Sequence, residues 1–315
     1  WWVLAACAVV NLLLWLRFLH LRLSLPALVI LFALVLTSVP VMQNLSILQP
    51  FLLPACFLAG AAVAAASGRL FLAGALLAAA TVKPQICLLP LAWFTLWLCS
   101  DWKRRRPLLF GFAVTLAALV LASEGLLPGW LRRYPEVLRS YAQYTKARSF
   151  LGVLLSSPLD WLVAVLALAA VVDFCWRARR QPAESAPFAL ALSSVLTLTI
   201  LIIPAVVQPF NHILLLPVVL LAIRHWQELR QCNLVTRTAT SVFCLAAFLP
   251  WLLAVVTVAN PFASNHEWLL KVWSLPLAAS MALPFAAFGM LILLRKLTAM
   301  PAVCPPATSV TKRQP

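Results

Sequence analysis

The sequence predicts an all-α protein, a polytopic bundle of about eleven membrane-spanning helices forming one domain over residues 1–299. Three observations predict it. Hydrophobic residues make up 64% of the 315-residue chain and charged residues only 10%, against about 45–50% and about 25% in soluble domains. So little charge cannot cover a water-facing surface. The apolar residues also run in continuous stretches and do not alternate with period two, which is the helical way of crossing lipid and not the barrel way. Finally, most of the basic residues sit in short segments between those stretches.

The stretches follow in order. The first two cover 1–16 and 25–41, the second ending at the polar "VMQNLSILQP". The third covers 50–66. Residues 70–82 and 86–100 are broken by Pro84 and read either as two short spans or as a broken hairpin. The rest fall at 107–122, 153–175, 186–206, 210–223, 239–258 and 271–294. Several are shorter than the ~20 residues that cross a bilayer squarely. The tail 300–315, rich in Pro, Thr and Ser, is expected to be disordered and cytoplasmic.

Charge sets the expected orientation. The net charge is +16. Spread over short loops, it fits an anionic inner leaflet and not nucleic acid. Seventeen basic residues fall on one side, in the groups Arg17 to Arg22, Arg69, Lys103 to Arg106, Arg177 to Arg180, Arg224 to Arg237 and Arg295 to Arg313. Seven fall on the other: Lys83, the 132–148 group and Lys271. The positive-inside rule then puts the C-terminus in the cytoplasm and Trp1 outside. A first residue of Trp and a first basic residue at Arg17 do not resemble a signal peptide. They suggest a chain whose first span lies upstream. The eight cysteines form no CxxC pair and read as small buried hydrophobes. No metal-ligand spacing, P-loop or dinucleotide motif occurs, so neither metal nor cofactor is expected.

One connection stands apart. Residues 123–152, "SEGLLPGWLRRYPEVLRSYAQYTKARSFLG", form a long loop expected on the extracytoplasmic side. Trp130, Leu131, Tyr134, Val137, Leu138 and Tyr141 recur at helical spacing, with Arg132, Arg133 and Arg139 between them. That pattern reads as an amphipathic helix lying on the membrane surface.

Lys83 is the sharpest local signal. It stands in "TVKPQICLLP", inside the apolar run from Leu70 to Leu98. A lysine there either snorkels to headgroups or holds an anion such as a phosphate. Pro84 frees backbone polar groups, and Gln85 adds a polar side chain. Further polar patches are expected at the same face: Gln43, Asn44, Ser46 and Gln49; Gln208, Asn211 and His212; and Arg132, Arg133 and Tyr134. Each reads either as an interfacial cap or as part of one convergent site. Asp160 begins a helix, where a carboxylate is favoured by the helix dipole alone.

Residues 40–94, with Gln43-Asn44, an Ala- and Gly-rich hairpin and Lys83-Pro84, resemble the core of glycosyltransferase family 87; "PFNHILLLPVVLL" at 209–221 looks like a later segment of it. The first motif departs from the family's Gln-x-Asn by lacking the intervening residue. The resemblance implies a GT-C-like fold. It also implies transfer of a hexose, usually mannose, from a polyprenyl-phosphate donor to a lipid-linked or glycan acceptor outside a bacterial plasma membrane. The family's general base lies on the first extracytoplasmic loop, which this reading places before Trp1, so no catalytic residue is expected in the chain. A donor phosphate would fall to Lys83, Arg132 and Arg133. Sugar and acceptor would fall to Gln43, Asn44, Gln85, Asn211 and His212. The competing expectations are a transporter or lipid flippase, which would share midplane polar residues and broken helices, and a structural membrane partner. No repeat of the first half is evident in the second.

Overall fold

The structure is a computed structural model that describes residues 1–145, 148–204, 206, 208–259 and 274–299. All regular structure among them is helical. The helices are α1 Trp2–Phe18, α2 Leu25–Leu36, α3 Val39–Ser46, α4 Leu52–Ala66, α5 Leu70–Ala80, α6 Pro84–Cys99, α7 Trp102–Leu126, α8 Trp130–Thr145, α9 Phe150–Leu154, α10 Leu159–Ala178 and α11 Ala186–Ile202. A 3-10 turn, Pro209–Leu215, leads into α12 Leu216–Arg224, followed by α13 Trp226–Gln231, α14 Leu234–Ala259, α15 Ser274–Ser280 and α16 Leu283–Ala299. The tail from Met300 lies outside the described residues.

The apolar segments sit where the sequence put them, but prolines divide three of them. Pro40 has no N–H, and its ring would clash with the Leu36 carbonyl, so the expected 25–41 helix breaks into α2 and α3, bent by 49°. Gln43 and Asn44 therefore lie on a helix of their own. Pro217 likewise limits the expected 210–223 helix to a 3-10 turn followed by α12. Pro284 divides α15 from α16. Among the described residues, four segments are long and apolar enough to cross a membrane, or five if α2 and α3 count as one bent span. Six further apolar segments there are only 10–17 residues long, so segment length by itself supports four or five of the eleven expected crossings.

Helix α11 is the central pillar. Every residue from Phe188 to Leu201 is buried, which is how a helix apolar on all faces behaves at the centre of a bundle. Its polar members are closed off internally: Ser193, Ser194, Thr197 and Thr199 donate their hydroxyls to carbonyls one turn back, at 2.7–2.9 Å. Helices α6, α9, α10 and α16 pack round it. By contrast α7 and α10 expose apolar side chains along most of their length, including Phe110, Val114, Leu121, Leu162, Val165 and Trp176. Such faces suit contact with lipid.

Where water does not drive association, helices meet through close packing of small residues. Helix α5 crosses α7 at Gly74 and Gly111. A Cβ on Gly74 would lie 1.9 Å from the Leu108 carbonyl oxygen, and one on Gly111 would lie 1.9 Å from that of Phe71. Only glycine permits this approach. The alanines of α4, among them Ala55, Ala59 and Ala62, give α1 a similarly flat partner.

The 123–152 connection is more structured than a loop. Helix α7 runs on to Leu126, α8 packs chiefly against α7, and α9 turns into the core with Phe150 and Leu151 buried. Helix α9 thus begins within the expected 123–152 connection. Phe150-Leu151 is apolar enough to be drawn inside. The following helix begins only at Leu159, after the Ser156-Ser157-Pro158 break.

Candidate functional site

Lys83 lies in the three-residue linker between α5 and α6, with Pro84 at the first position of α6. The carbonyls left over at the end of α5 are met locally. Thr81 donates its hydroxyl to Ala78 at 2.6 Å, and the Cys87 thiol donates to Ala80 at 3.0 Å. The lysine stem runs inward. Its Nζ stands 4.6 Å from the centre of the Phe51 ring and 5.0 Å from that of Phe210. Those two rings meet edge to face at 6.1 Å. Phe51 precedes α4 and Phe210 belongs to the 3-10 turn, so three separate stretches of chain converge on one ammonium.

The aromatic faces offset part of the ammonium's lost hydration, an interaction worth about 0.5–2 kcal/mol depending on exposure. They accept none of its hydrogen bonds in the ordinary sense. Among the described residues, neither a carboxylate nor a hydrogen-bond acceptor pairs with Lys83. Its N–H groups remain able to donate to an anion.

Asn44 ties this region together. Its Nδ2 donates to both the Pro40 and the Phe210 carbonyls, each at 2.8 Å. The second bond holds the 3-10 turn against α3 and so sets the position of the Phe210 ring. Asn211 Nδ2 donates to Val206 at 2.9 Å. The remaining polar atoms share a condition. Gln43 Oε1, Asn44 Oδ1, Gln85 Oε1, Asn211 Oδ1 and both ring nitrogens of His212 are buried without a partner among the described residues. A buried polar group left unpaired costs about 1–3 kcal/mol. Such groups are met by an ordered water or by a ligand. The four amide oxygens are acceptors, and sugar hydroxyls are donors.

His212 is buried, with its ring 6.2 Å from that of Phe150. It lines an apolar cavity of ≈ 360 Å³ whose walls include Leu31, Val35, Val39, Phe243 and Trp251. The polar group at the edge of this cavity and the cationic centre at Lys83 are linked through consecutive residues of one turn, Phe210, Asn211 and His212.

Arg132 and Arg133 are placed differently. Both are exposed on α8, and no described contact joins them to Lys83. Asn44 and Lys83 both reach Phe210, the residue before Asn211 and His212, while Arg132 and Arg133 are exposed on α8. Among the described residues no group of three His, Cys, Asp or Glu side chains could hold a metal ion.

The sequence pattern of glycosyltransferase family 87 matches residues 1–204. The chain belongs to glycosyltransferase family 87. No curated protein and no solved structure matches it. The match makes this a membrane glycosyltransferase, which moves a sugar from a donor to an acceptor. Gln43, Asn44, Lys83, Gln85, Arg132 and Arg133 all fall inside the matched region, whereas Asn211 and His212 lie beyond it. It is the Asn44 bond to Phe210 that ties the later segment to the family region.

Sequence reasoning missed two aromatic parts of this candidate site and one buried amide elsewhere. Phe51 and Phe210 were not assigned to Lys83, although each stands directly after a proline beside a polar patch. Asn11 on α1 is buried, with both amide atoms unpartnered among the described residues. A lone Asn in an apolar helix is the signal that could have found it.

Proposed function

We propose that this family 87 enzyme transfers a hexose, mannose in the first instance, from a polyprenyl-phosphate donor to a lipid-linked or glycan acceptor. It does so on the extracytoplasmic face of a bacterial plasma membrane, as a multi-pass protein with a cytoplasmic C-terminus. The observation that carries this reading is the Lys83 ammonium held between Phe51 and Phe210, with N–H groups free to donate and no carboxylate among the described residues paired to it.

The chemistry follows from that arrangement. An acceptor hydroxyl attacks the sugar's anomeric carbon and gives its proton to a base. The bond from that carbon to the phosphate oxygen breaks, and its electron pair stays with the carrier phosphate. Negative charge grows on the leaving phosphate, and a fixed cation in a partly dry site stabilises it most at that moment. Gln43, Asn44, Gln85, Asn211 and His212 offer acceptors for the sugar's hydroxyls. The apolar cavity at His212 suits the carrier's isoprenoid chain. Arg132 and Arg133, exposed on α8, suit phosphate groups at the membrane surface.

The test is transfer of labelled mannose from polyprenyl-phosphate mannose by membranes holding the full-length protein. Label should enter a product lipid in wild type and fall roughly 10–100-fold in Lys83→Ala, the range expected for one charge-assisted hydrogen bond. Equal transfer by a well-folded Lys83→Ala variant would overturn the reading. Label crossing vesicles unchanged, with none in product, would mark a transporter instead.

A further inference from the structure

At the ends of α5 and α6 remote from Lys83, a cleft of ≈ 370 Å³ opens between the α4–α5 turn, the start of α7 and the segment leading into α11. Its walls include Gly68, Leu70, Arg104, Arg105, Pro107 and Glu184. The cleft holds charges of both signs. Arg104 and Glu184 are exposed and both line it, yet no ion pair joins them among the described residues. Arg105 is fixed beside them. Its guanidinium stacks 3.9 Å over the Trp97 ring and donates to the Arg179 and Gln181 carbonyls. The wall that carries Glu184 is thereby tied to the start of α7.

We propose that this cleft seats the headgroup of a zwitterionic phospholipid of the phosphatidylethanolamine type, its phosphate at Arg104 and its ammonium at Glu184, with an acyl chain along Phe71 and Phe110. A phosphate ester and a primary ammonium joined by an ethylene link carry the same two charges as the cleft, in the complementary sense. A guanidinium donates its N–H groups to phosphate oxygens. An ammonium has only donors and an ionised carboxylate only acceptors, so each end of the headgroup meets its opposite. The volume lies within the range of about 300–1,000 Å³ that small-molecule sites occupy.

The surroundings favour a lipid over a soluble zwitterion. Leu70 and Pro107 in the walls lead on to Phe71 and Phe110, 52% and 58% exposed. These two stand at the close crossing of α5 and α7, where the Phe71 carbonyl meets Gly111. Helix α7 is itself long and apolar enough to cross a membrane. An anionic headgroup without an amine would set its phosphate near Glu184 and give the carboxylate nothing to accept. A choline headgroup has the positive charge but no N–H to donate. Seated in the cleft, the lipid links α7 to the segment just before α11, and so braces the entry to the central pillar. The proposal rests on membrane insertion and is independent of the sugar, donor and acceptor.

The experiment uses the full-length protein in phosphatidylcholine nanodiscs doped with a small share of probe lipid. The probes are phosphatidylethanolamine and phosphatidylglycerol, each with a diazirine in one acyl chain. After photolysis, mass spectrometry should place phosphatidylethanolamine adducts on residues 70–72 and 107–110, at least about fivefold above phosphatidylglycerol, as expected for one added charge-assisted hydrogen bond. Glu184→Gln should bring the two probes to within about twofold of each other, and Arg104→Ala should lower both. Arg106→Ala, exposed on the same helix but outside the cleft, should label like wild type. All three substitutions fall at exposed positions, and unchanged melting temperatures would verify that the variants fold. Equal labelling by the phosphatidylglycerol probe in wild type would overturn the proposal in favour of a purely anionic site. Equal adduct yields in wild type, Glu184→Gln and Arg104→Ala would overturn it in favour of unspecific lipid contact.

Discussion

The Lys83 ammonium lies 4.6 Å from the centre of the Phe51 ring, and that ring is the floor of the cationic site. Replacing Phe51 with Leu keeps apolar volume and removes the π face. Transfer at low donor concentration should fall about 2–30-fold, matching the loss of about 0.5–2 kcal/mol of cation–π attraction. Phe51→Tyr should retain most of it. Donor titrations of both variants would check this, and equal loss in the two would argue that packing, not the ring face, matters.

Asn44 bridges two carbonyls with one amide group. Asn44→Leu leaves the Phe210 carbonyl buried without that donor, a cost of about 1–3 kcal/mol. It also releases the turn that positions Phe210 over Lys83. The expected result is a lower melting temperature in detergent together with lost transfer. Ser46→Ala is the comparison. Its hydroxyl only back-bonds to Met42 in an exposed position, so both readouts should stay near wild type.

At the crossing of α5 and α7, Gly111→Ala must push backbone from backbone, since the new Cβ meets the Phe71 carbonyl at 1.9 Å. Destabilisation of about 1–3 kcal/mol or more is expected from such overpacking. Gly289 in α16 has nothing within 4 Å of the same position, and Gly289→Ala should be neutral or slightly stabilising, as Ala favours helix. Thermal unfolding of the two variants side by side measures the contrast.

Arg105 is buried, stacks 3.9 Å over the Trp97 ring, and donates to the Trp97, Arg179 and Gln181 carbonyls and to the Ser100 hydroxyl. A lysine cannot reproduce that planar fork. Arg105→Lys should therefore lower stability by about 2–3 kcal/mol. Arg104→Lys and Arg106→Lys, exposed on the same helix, should change it little. The same thermal assay applies, and equal effects at all three positions would refute the staple role of Arg105.

Arg132 and Arg133 are exposed on α8. Replacing both with Ala should reduce transfer less than about threefold, with the loss greatest in vesicles rich in anionic lipid, where surface charge acts over the Debye length. A drop as deep as that of Lys83→Ala would place these arginines at the donor after all.

The helical class and the order of the helices were legible because apolar run length is a local property. So was the interest of Lys83, since a cation in an apolar run is costly wherever the run folds. The partners of that cation were not legible. Phe51 and Phe210 are far apart in the chain, and nothing local says that the turn after α11 returns to α3. The break at Pro40 could be anticipated from the missing N–H, but the direction of the 49° bend is set by what α3 packs against.

Basic residues make the same point from the other end. In the chain Lys103, Arg104, Arg105 and Arg106 look equivalent, four charges of one topological patch. Folding draws one of them inward to close the 179–181 linker against α6 and leaves the others exposed. Composition and spacing were sufficient to say that this chain is a helical membrane protein with a costly lysine and scattered polar patches, because those costs are incurred residue by residue. Which patches meet, which arginine is buried and which glycines touch depended on packing between distant segments, because contact energies exist only once the segments are side by side.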